Sequence, residues 1–341
     1  MLKAEPASAL LAMSVEQEGR DSRRRVLRRR ATIELDPTLP FRFDATFHKP
    51  DHFPSDDNAW EPGVRLQTMR FQGLLLGLRI EDAAPRVRVD VWSESRAPES
   101  LLGPLAEELA WRANLRLDLT GFEELARRDP ELAPVVERWR GMRPMHLGSL
   151  YEYLVIAIVL QNATVRRSVQ MLQALFERYG TRLRFDGREL YGFWDATTLA
   201  GTTEQELRTL KVGYRAKSLL RVSEAIAGGQ VDDAALRGAT VAEQRAALLA
   251  LYGVGPASVG YVLIDVFHAF DEFAHVSPWE HRIYSRVLLG TPVEDPAPVP
   301  VLERIARWSP WRALAVHYLW EDLFWRHREK PIDWLTPMIR L

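Results

Sequence analysis

The amino-acid sequence predicts an α+β fold, in which an N-terminal antiparallel β domain is followed by an all-helical bundle. Apolar and polar residues alternate with a period of two in several short segments between Thr32 and Leu119, which is typical of a half-buried antiparallel sheet. From about Gly121 to the end, apolar residues recur at helical spacing. The length of 341 residues also exceeds one ordinary domain of roughly 100 to 200 residues.

Three regions are predicted along the chain. Residues 1–32 are expected to be a basic, flexible arm, residues 33–120 the antiparallel β domain, and residues 121–341 the helical domain. Within the β domain, residues 49–62 are rich in Pro and Asp and are expected to form a surface loop. Strands are expected where the alternation is clearest, at Phe41 and Phe43, at Val87, Val89 and Val91, and at Leu115, Leu117 and Leu119.

Composition excludes several kinds of site. The chain has no cysteine, which excludes disulfides, thiolate zinc sites, cysteine nucleophiles and iron–sulfur clusters. Its eight histidines do not follow a metal-binding pattern. The longest apolar run, residues 153–160, is far shorter than the ~20 residues that span a bilayer. With no secretory signal visible, the expected location is the cytoplasm, without a membrane partner.

The charge distribution restricts how the chain could bind a polyanion. A formal net charge of −1 argues against binding over the whole surface, so a local patch is required. Residues 20–30 contain seven arginines and are one such patch. Two interpretations of this stretch stay open: an arm that contacts phosphates, or a solvated segment with no specific role.

Capping patterns locate the starts of three helices. Ser149 and Glu152 form a capping box, and the segment that follows is apolar nearly all round, so this helix is expected at the buried centre of the bundle. Thr240 and Glu243 form a second capping box. The dipeptide Ser309-Pro310 has the pattern of an N-cap followed by a first-turn proline.

The most informative segment reads LLALYGVGPASVGYVLIDVF. One helix is expected to stop at Tyr252, and Gly253 and Gly255 to form a tight hairpin at positive φ. Pro256 then begins a second helix, in which Gly260 allows close packing. Backbone N–H groups of the hairpin and of the second helix would together bind a phosphate without any basic side chain, which also fits the neutral net charge. A packing corner in some other helical protein is the alternative.

The order of these elements resembles that of the helix-hairpin-helix DNA glycosylases, specifically the 3-methyladenine-DNA glycosylase II type with its N-terminal β domain. The resemblance covers about residues 33–330. Its specific parts are the hairpin and a W-x-P-W-R element that begins at Trp308. Shorter matching pieces are Leu39-Pro-Phe-Arg-Phe-Asp, Gly141-Met-Arg143, residues 151–162 ending in Leu-Gln-Asn, Tyr214-Arg-Ala-Lys217 and Leu319-Trp320.

The resemblance implies a protein that extrudes a damaged base from duplex DNA into a pocket and fills the gap that the base leaves. It places the inserted residues in the loop after the buried helix, where Asn162 is expected to hydrogen-bond the orphaned base. Ordinary capping at a helix end is the alternative for Asn162. The residues expected to bind DNA are Gly253, Gly255, Pro256, Ala257, Gln161, Asn162 and Arg166.

Aromatic residues of the last helices are expected to form the base pocket, as stacking surfaces for an electron-poor base. Trp279, Trp308 and Trp311 are the candidates. A tryptophan at helical spacing is also typical of an ordinary core, and this alternative stays open for each of them.

Two positions depart from the family pattern. Where bifunctional members carry a lysine nucleophile, this chain has Ala257, so strand cleavage through a Schiff base is not expected. Where the family has its catalytic aspartate, this chain has Ser277, which keeps the helix cap but not the charge that stabilises a developing sugar cation. Glu280 is the predicted replacement, against the alternative of a structural capping-box glutamate. Asp271 and Glu272 are further alternatives.

With this resemblance, the expected function is base-excision repair by a monofunctional DNA N-glycosylase that removes alkylated purines from double-stranded DNA. No cofactor is expected, and a monovalent cation on the hairpin carbonyls is left open. A monomer at the bacterial nucleoid is expected. One alternative is a catalytically degenerate relative that senses damage or kinks duplex DNA. The other is a helical protein whose hairpin serves packing.

Overall fold

The computed structural model describes residues 24–50, 55–96, 98–290 and 299–339. Its N-terminal part is a five-stranded antiparallel sheet with the strand order β2-β6-β5-β4-β3. The buried alternation of Val87, Val89 and Val91 packs this sheet against Leu105 and Leu109 of helix α2, as expected for a sheet with one buried face. The strands are β2 Arg28–Leu35, β3 Asn58–Glu61, β4 Val64–Phe71, β5 Leu74–Ala83 and β6 Arg86–Ser93, and α2 is Glu99–Arg112.

Two of the predicted strands are wrong. The segment with Phe43 is a short helix, α1, Phe43–Phe47. Leu115 and Leu119 are buried, but Leu119 is the N-cap of the helix Thr120–Arg127. Leu115 lies in the turn after α2, where its carbonyl accepts a hydrogen bond from the backbone of Thr38. Short apolar alternation therefore also arises in a buried connection. The expected loop at residues 49–62 contains β3, and its residues 51–54 lie outside the described residues.

The flexible-arm prediction is wrong for residues 24–32, whereas residues 1–23 lie outside the described part of the chain. Strand β1, Arg24–Val26, pairs in parallel with β7, Thr181–Phe185, and residues 28–32 belong to β2. Leu27, between β1 and β2, is 3% exposed and packs with Leu183 and Phe185. The arginines can stay solvated while one apolar residue anchors the segment.

A small hairpin interrupts the helical region. Strand β7 pairs antiparallel with β8, Arg188–Gly192, so helices do not continue without a break from Gly121. The turn is Asp186-Gly187, with both residues at positive φ, which is a strong sequence signal for a hairpin. Together with β1, these strands form a three-stranded sheet.

Helix α5, Leu150–Leu160, lies at the centre of the bundle. The capping boxes at Ser149 and at Thr240 are confirmed. The predicted N-cap at Ser309 is wrong, because the last long helix begins at Arg312 and the Ser309 hydroxyl donates to Asp271 instead. The other helices are α3 Thr120–Arg127, α4 Ala133–Arg138, α6 Val165–Tyr179, α7 Ala196–Ala200, α8 Glu204–Thr209, α9 Arg215–Ala227, α10 Asp233–Arg237, α11 Val241–Leu249, α12 Pro256–Asp265, α13 Pro278–Leu289, α14 Val299–Ala306 and α15 Arg312–Glu329.

The predicted fold class, an antiparallel β part followed by a helical part, is confirmed. Arg143 connects the two parts: it is 1% exposed and donates to the backbone carbonyls of Thr38 and Pro40. The Gly-Met-Arg element of the resemblance is therefore structural. None of the described helices has the length and apolar character needed to cross a lipid bilayer.

Candidate nucleic-acid interface

The hairpin between α11 and α12 is built on Gly253. Its φ is +81°, and a Cβ added there would lie 2.6 Å from the Cβ of Ser218, so both the backbone conformation and the available space require glycine. Gly255 differs from the prediction, because its φ of −102° is extended and it serves as the N-cap of α12. Gly260 is not a close-packing position either, since an added Cβ would meet no atom within 4 Å.

The N-terminus of α12 faces an open groove of about 440 Å³. Within the described residues, no side chain caps this helix, and Pro256 occupies its first turn. The first N–H groups of a helix and its dipole favour an anion. The groove can therefore accept a phosphate on backbone groups alone. It is lined by Gln161, Gly253, Val254, Gly255, Pro256, Ala257, Ser258 and His275.

The loop after α5 is fastened to the hairpin through Gln161. Its side-chain amide donates 2.8 Å to the carbonyl oxygen of Gly253 and 3.3 Å to the hydroxyl of Ser258. Tyr214 and Arg215 donate to the backbone carbonyl of Gln161 from the other side. The carbonyl of Gly253, one of the oxygens considered for a cation, thus already accepts a hydrogen bond.

Asn162 presents its side chain at the tip of this loop. It is exposed, its φ is +47°, and its amide donates 3.2 Å to the hydroxyl of Tyr214. Arg166 is exposed in the first turn of α6, and the Lys217 ammonium lies 4.9 Å from the ring centre of Tyr252. The hairpin surface therefore combines polar, basic and aromatic side chains.

Ser277 is the N-cap of α13, and its capping box with Glu280 is confirmed. The Glu280 side chain is buried at 5% exposure, and its Oε2 accepts 2.9 Å from the backbone of Ser277. The carboxylate is therefore turned back onto its own helix start. Because His275 lines the groove, the chain returns to the hairpin just before Ser277.

The two other acidic candidates are held in ion pairs. Asp271 accepts two 3.0 Å bonds from the Arg312 guanidinium. Although partial burial opposes the change, the hydrogen bonds from Arg312 and Ser309 lower the pKa of Asp271. Glu272 pairs with Arg245 of α11. Both carboxylates fix the loop that precedes α13, which accounts for their presence without a catalytic role.

The three tryptophans proposed for the base pocket lie in different surroundings. Trp308 is 1% exposed and donates 2.8 Å to Asp129, so its place in a pocket is corrected to a place in the core. Trp279 is 36% exposed and donates to the Met338 carbonyl, near the C-terminal end of the described chain. Trp311 is half-buried against an aromatic neighbour, Phe270.

An exposed apolar surface that the sequence interpretation missed lies between α5 and α12. Leu160 is 38% and Tyr261 is 41% exposed, although α5 was expected to be buried all round. Below them, the hydroxyl of Tyr153 donates 2.6 Å to Asp265, and Lys49 lies 3.4 Å from the same carboxylate. Tyr261 and Asp265 are four residues apart and so share one helix face, which was the available sequence signal.

The hairpin, its amide-lined groove and the loop fastened to it define a helix-hairpin-helix protein. Residues 155–310 match the family model described as HhH-GPD superfamily base excision DNA repair protein. Proteins similar to this chain carry the names of DNA glycosylases.

Similar proteins differ in substrate. The DNA-3-methyladenine glycosylase of Bacillus subtilis (strain 168) is 23% identical over 210 residues, which are 61% of this chain and 68% of that protein. The structure of a 3-methyladenine DNA glycosylase from Archaeoglobus fulgidus matches with a TM-score of 0.70 at 16% identity, over 86% of this chain and 98% of that one. The apo 8-oxoguanine glycosylase/lyase of Clostridium acetobutylicum matches with a TM-score of 0.66 at 18% identity, over 87% and 98%. At these identities, the two structures establish the shared fold.

Proposed function

We propose that the protein is a monofunctional DNA N-glycosylase that binds duplex DNA and releases alkylated purines. The observation that carries the proposal is the bond between the Gln161 amide and the Gly253 carbonyl. It makes the phosphate-binding hairpin and the loop with Asn162 one rigid unit. A glycosylase needs this coupling, because the side chain that fills the gap left by the extruded base must keep a fixed position relative to the DNA backbone that the hairpin binds.

The absence of a lyase step is proposed from Ala257. Cleavage of the strand through a Schiff base requires a nucleophilic amine beside the extruded nucleotide. Ala257 supplies none, and none of the described residues that line the groove is a lysine.

Alkylated purines are proposed as substrates because of Ser277. A cationic base is already a good leaving group and places the smallest demand on a carboxylate, whereas a neutral base needs more stabilisation of the sugar cation. A serine at the cap of α13 is therefore most compatible with cationic substrates. The name of the Bacillus subtilis relative points in the same direction.

The test is single-turnover base release from duplexes that contain 3-methyladenine, 7-methylguanine, hypoxanthine or 8-oxoguanine. We expect release of the two methylated bases, with strand breaks only after alkali. Release of 8-oxoguanine alone, or breaks without alkali and a complex trapped by borohydride, would contradict the proposal.

A damage-sensing protein without catalysis is the second candidate. It is favoured by the burial of Glu280 and by the engagement of its carboxylate with the backbone of Ser277. This candidate predicts tight binding of lesion-containing duplex with no base release in the same assay. Binding that is equal for damaged and undamaged duplex would exclude it.

A further inference from the structure

A narrow surface, here called the interhelical strip, follows the line where α5 and α12 pack together. The opposite faces of both helices are buried in the main core, whereas the strip residues are half-buried or exposed. Adjacent exposed apolar residues on two otherwise buried helices are typical of a ligand-binding groove. The strip consists of Tyr153, Ile156 and Leu160 from α5 and of Ala257, Tyr261 and Asp265 from α12.

Two hydrogen bonds fix the direction of the strip. Gln161 bonds to Ser258 at one end, and Tyr153 bonds to Asp265 at the other, so the two helices run antiparallel. At a rise of 1.5 Å per residue, these bonds are about 11 Å apart along the helices. The strip thus leads from the loop and hairpin, where DNA is proposed to bind, down to the Asp265 carboxylate.

The Asp265 carboxylate, at the lower end of the strip, is held in place by Tyr153 and Lys49. Its Oδ2 accepts from the Tyr153 hydroxyl at 2.6 Å, and its Oδ1 lies 3.4 Å from the Lys49 ammonium. The Lys49 side chain is 4% exposed and that of Asp265 is 13% exposed. Lys49 therefore compensates the charge from within the protein, while a small part of the Asp265 side chain stays exposed.

We propose that the interhelical strip receives the extruded base and that Asp265 selects it by accepting hydrogen bonds from N–H groups on the base edge. This inference rests on the proposed function. An ionised carboxylate is an acceptor only, so it favours a base with an amino group or a protonated ring nitrogen. Tyr153 and Lys49 act as positioning residues, and the aliphatic side chains and Tyr261 supply apolar contact to the rings.

A structural explanation also exists for the same contacts. Lys49 comes from the β part of the chain and Asp265 from the bundle, so their ion pair also ties the two parts together. A purely structural role predicts that substitutions lower stability and affect all substrates equally. Selection by Asp265 predicts instead a change in the ratio between substrates, which stability alone does not produce.

The experiment compares 3-methyladenine, which has N–H groups on its edge, with 1,N6-ethenoadenine, in which the etheno bridge removes them. We expect Asp265→Asn to lower the preference for 3-methyladenine about tenfold or more, as for the loss of a charge-assisted hydrogen bond. Tyr153→Phe keeps the ion pair and should lower the same ratio to a smaller extent. The matched control is Glu272→Gln, which breaks the ion pair with Arg245 away from the strip and should leave the ratio unchanged.

A second readout separates this inference from the proposed function. Binding of the two free bases is measured by quenching of aromatic fluorescence in wild-type protein, in Asp265→Asn and in Tyr153→Phe. This measurement does not depend on base release. Selective loss of 3-methyladenine binding in Asp265→Asn supports the assignment even in a protein without catalysis. Equal preference in wild type and in folded Asp265→Asn, by release or by free-base binding, overturns it.

Discussion

The side-chain amide of Gln161 donates a 2.8 Å hydrogen bond to the carbonyl oxygen of Gly253. The backbone carbonyl of Gln161 accepts hydrogen bonds at the same time from Tyr214, the N-cap of α9, and from Arg215 in its first turn. The loop after α5 is therefore fixed on two sides: to the hairpin on one side and to the start of α9 on the other. Movement of the hairpin relative to this loop requires the loss of the Gln161 side-chain bonds to Gly253 and Ser258.

Removal of this link should weaken DNA binding more than it affects folding. In Gln161→Leu, the side-chain bonds to the hairpin are lost, which corresponds to about 0.5–1.5 kcal/mol per net hydrogen bond. We expect duplex affinity, measured by fluorescence anisotropy, to fall by up to about tenfold with little change in the thermal midpoint. Gln170→Leu, at an exposed position on α6, is the control, and an equal loss in both variants would refute the coupling.

Gly253→Ala should lower the free energy of unfolding and the duplex affinity together. The positive φ costs about 1 kcal/mol for alanine, and the contact with Ser218 adds a displacement of α9. The control is Gly187→Ala, where φ is +74° and no atom lies within 4 Å of the added Cβ. This variant loses only the free energy that alanine costs at a positive φ. Denaturant unfolding should therefore place the Gly253 variant clearly below the Gly187 variant. Similar midpoints and unchanged binding in both would contradict a constrained hairpin.

Two substitutions at the start of α13 test the source of the catalytic charge. Glu280→Gln keeps the size and most of the capping, so it should abolish base release at nearly unchanged duplex affinity if Glu280 supplies the carboxylate. Ser277→Asp keeps the cap and restores a charge at the family position, and should create or increase release if the site is degenerate. Release that survives Glu280→Gln unchanged would exclude Glu280. No release from wild type or from folded Ser277→Asp would favour the non-catalytic candidate.

Two buried groups should give opposite pH dependences of stability. Burial, together with the nearby Arg237 charge, lowers the pKa of His268 from 6.5 to about 4. The unfolded chain then binds a proton that the folded chain does not, so the free energy of unfolding falls as pH drops from 6.5 to 4. Burial, opposed by Arg112, raises the pKa of Glu152 from 4.5 to about 7. Here the folded chain holds the proton, so the free energy of unfolding falls as pH rises from 4.5 to 7.

Single substitutions should separate these two slopes between pH 4.5 and 6.5. Each group is expected to contribute about 3 kcal/mol across its range. In His268→Asn, which tolerates the φ of +61° at this position, stability should decrease with rising pH. In Glu152→Gln, which keeps the capping box, it should increase. Urea unfolding at several pH values measures both, and slopes of the same sign in the two variants would refute the assignment.

The N-terminal arginine segment should prove to be part of the folded structure. Leu27→Ala removes a side chain that is 3% exposed, and large-to-small changes of this kind cost about 2–5 kcal/mol. Val26→Ala, at 62% exposure in the adjacent position, should change the free energy of unfolding by less than about 0.5 kcal/mol. Equal effects of the two substitutions in denaturant unfolding would show that Leu27 is not anchored.

Local chemistry accounts for the elements that the sequence predicted correctly. Ser149 with Glu152, Thr240 with Glu243, and the Gly253 turn each depend on residues within a few positions of one another, and these elements are confirmed. The burial of Val87, Val89 and Val91, which alternate along one strand, depends only on that strand and its sheet.

Long-range contacts account for the elements that it did not predict. Trp308 has the same helical spacing as a pocket residue, and only its bond to Asp129, far away in the chain, shows that it belongs to the core. Lys49 and Asp265 meet across the two parts of the molecule. No local pattern predicts such a pair, because each residue alone resembles an ordinary surface charge.

The parallel pairing of β1 with β7 has a consequence for biosynthesis. Arg24 lies opposite Arg182, so β1 obtains its partner only after synthesis has reached β7. Until then Leu27 lacks its packing partners Leu183 and Phe185. The segment around Leu27 therefore stays incompletely packed during synthesis. A fragment that ends at residue 120 would retain this state permanently. The pairing of β1 with β7 therefore links residues on the two sides of the predicted boundary near residue 120.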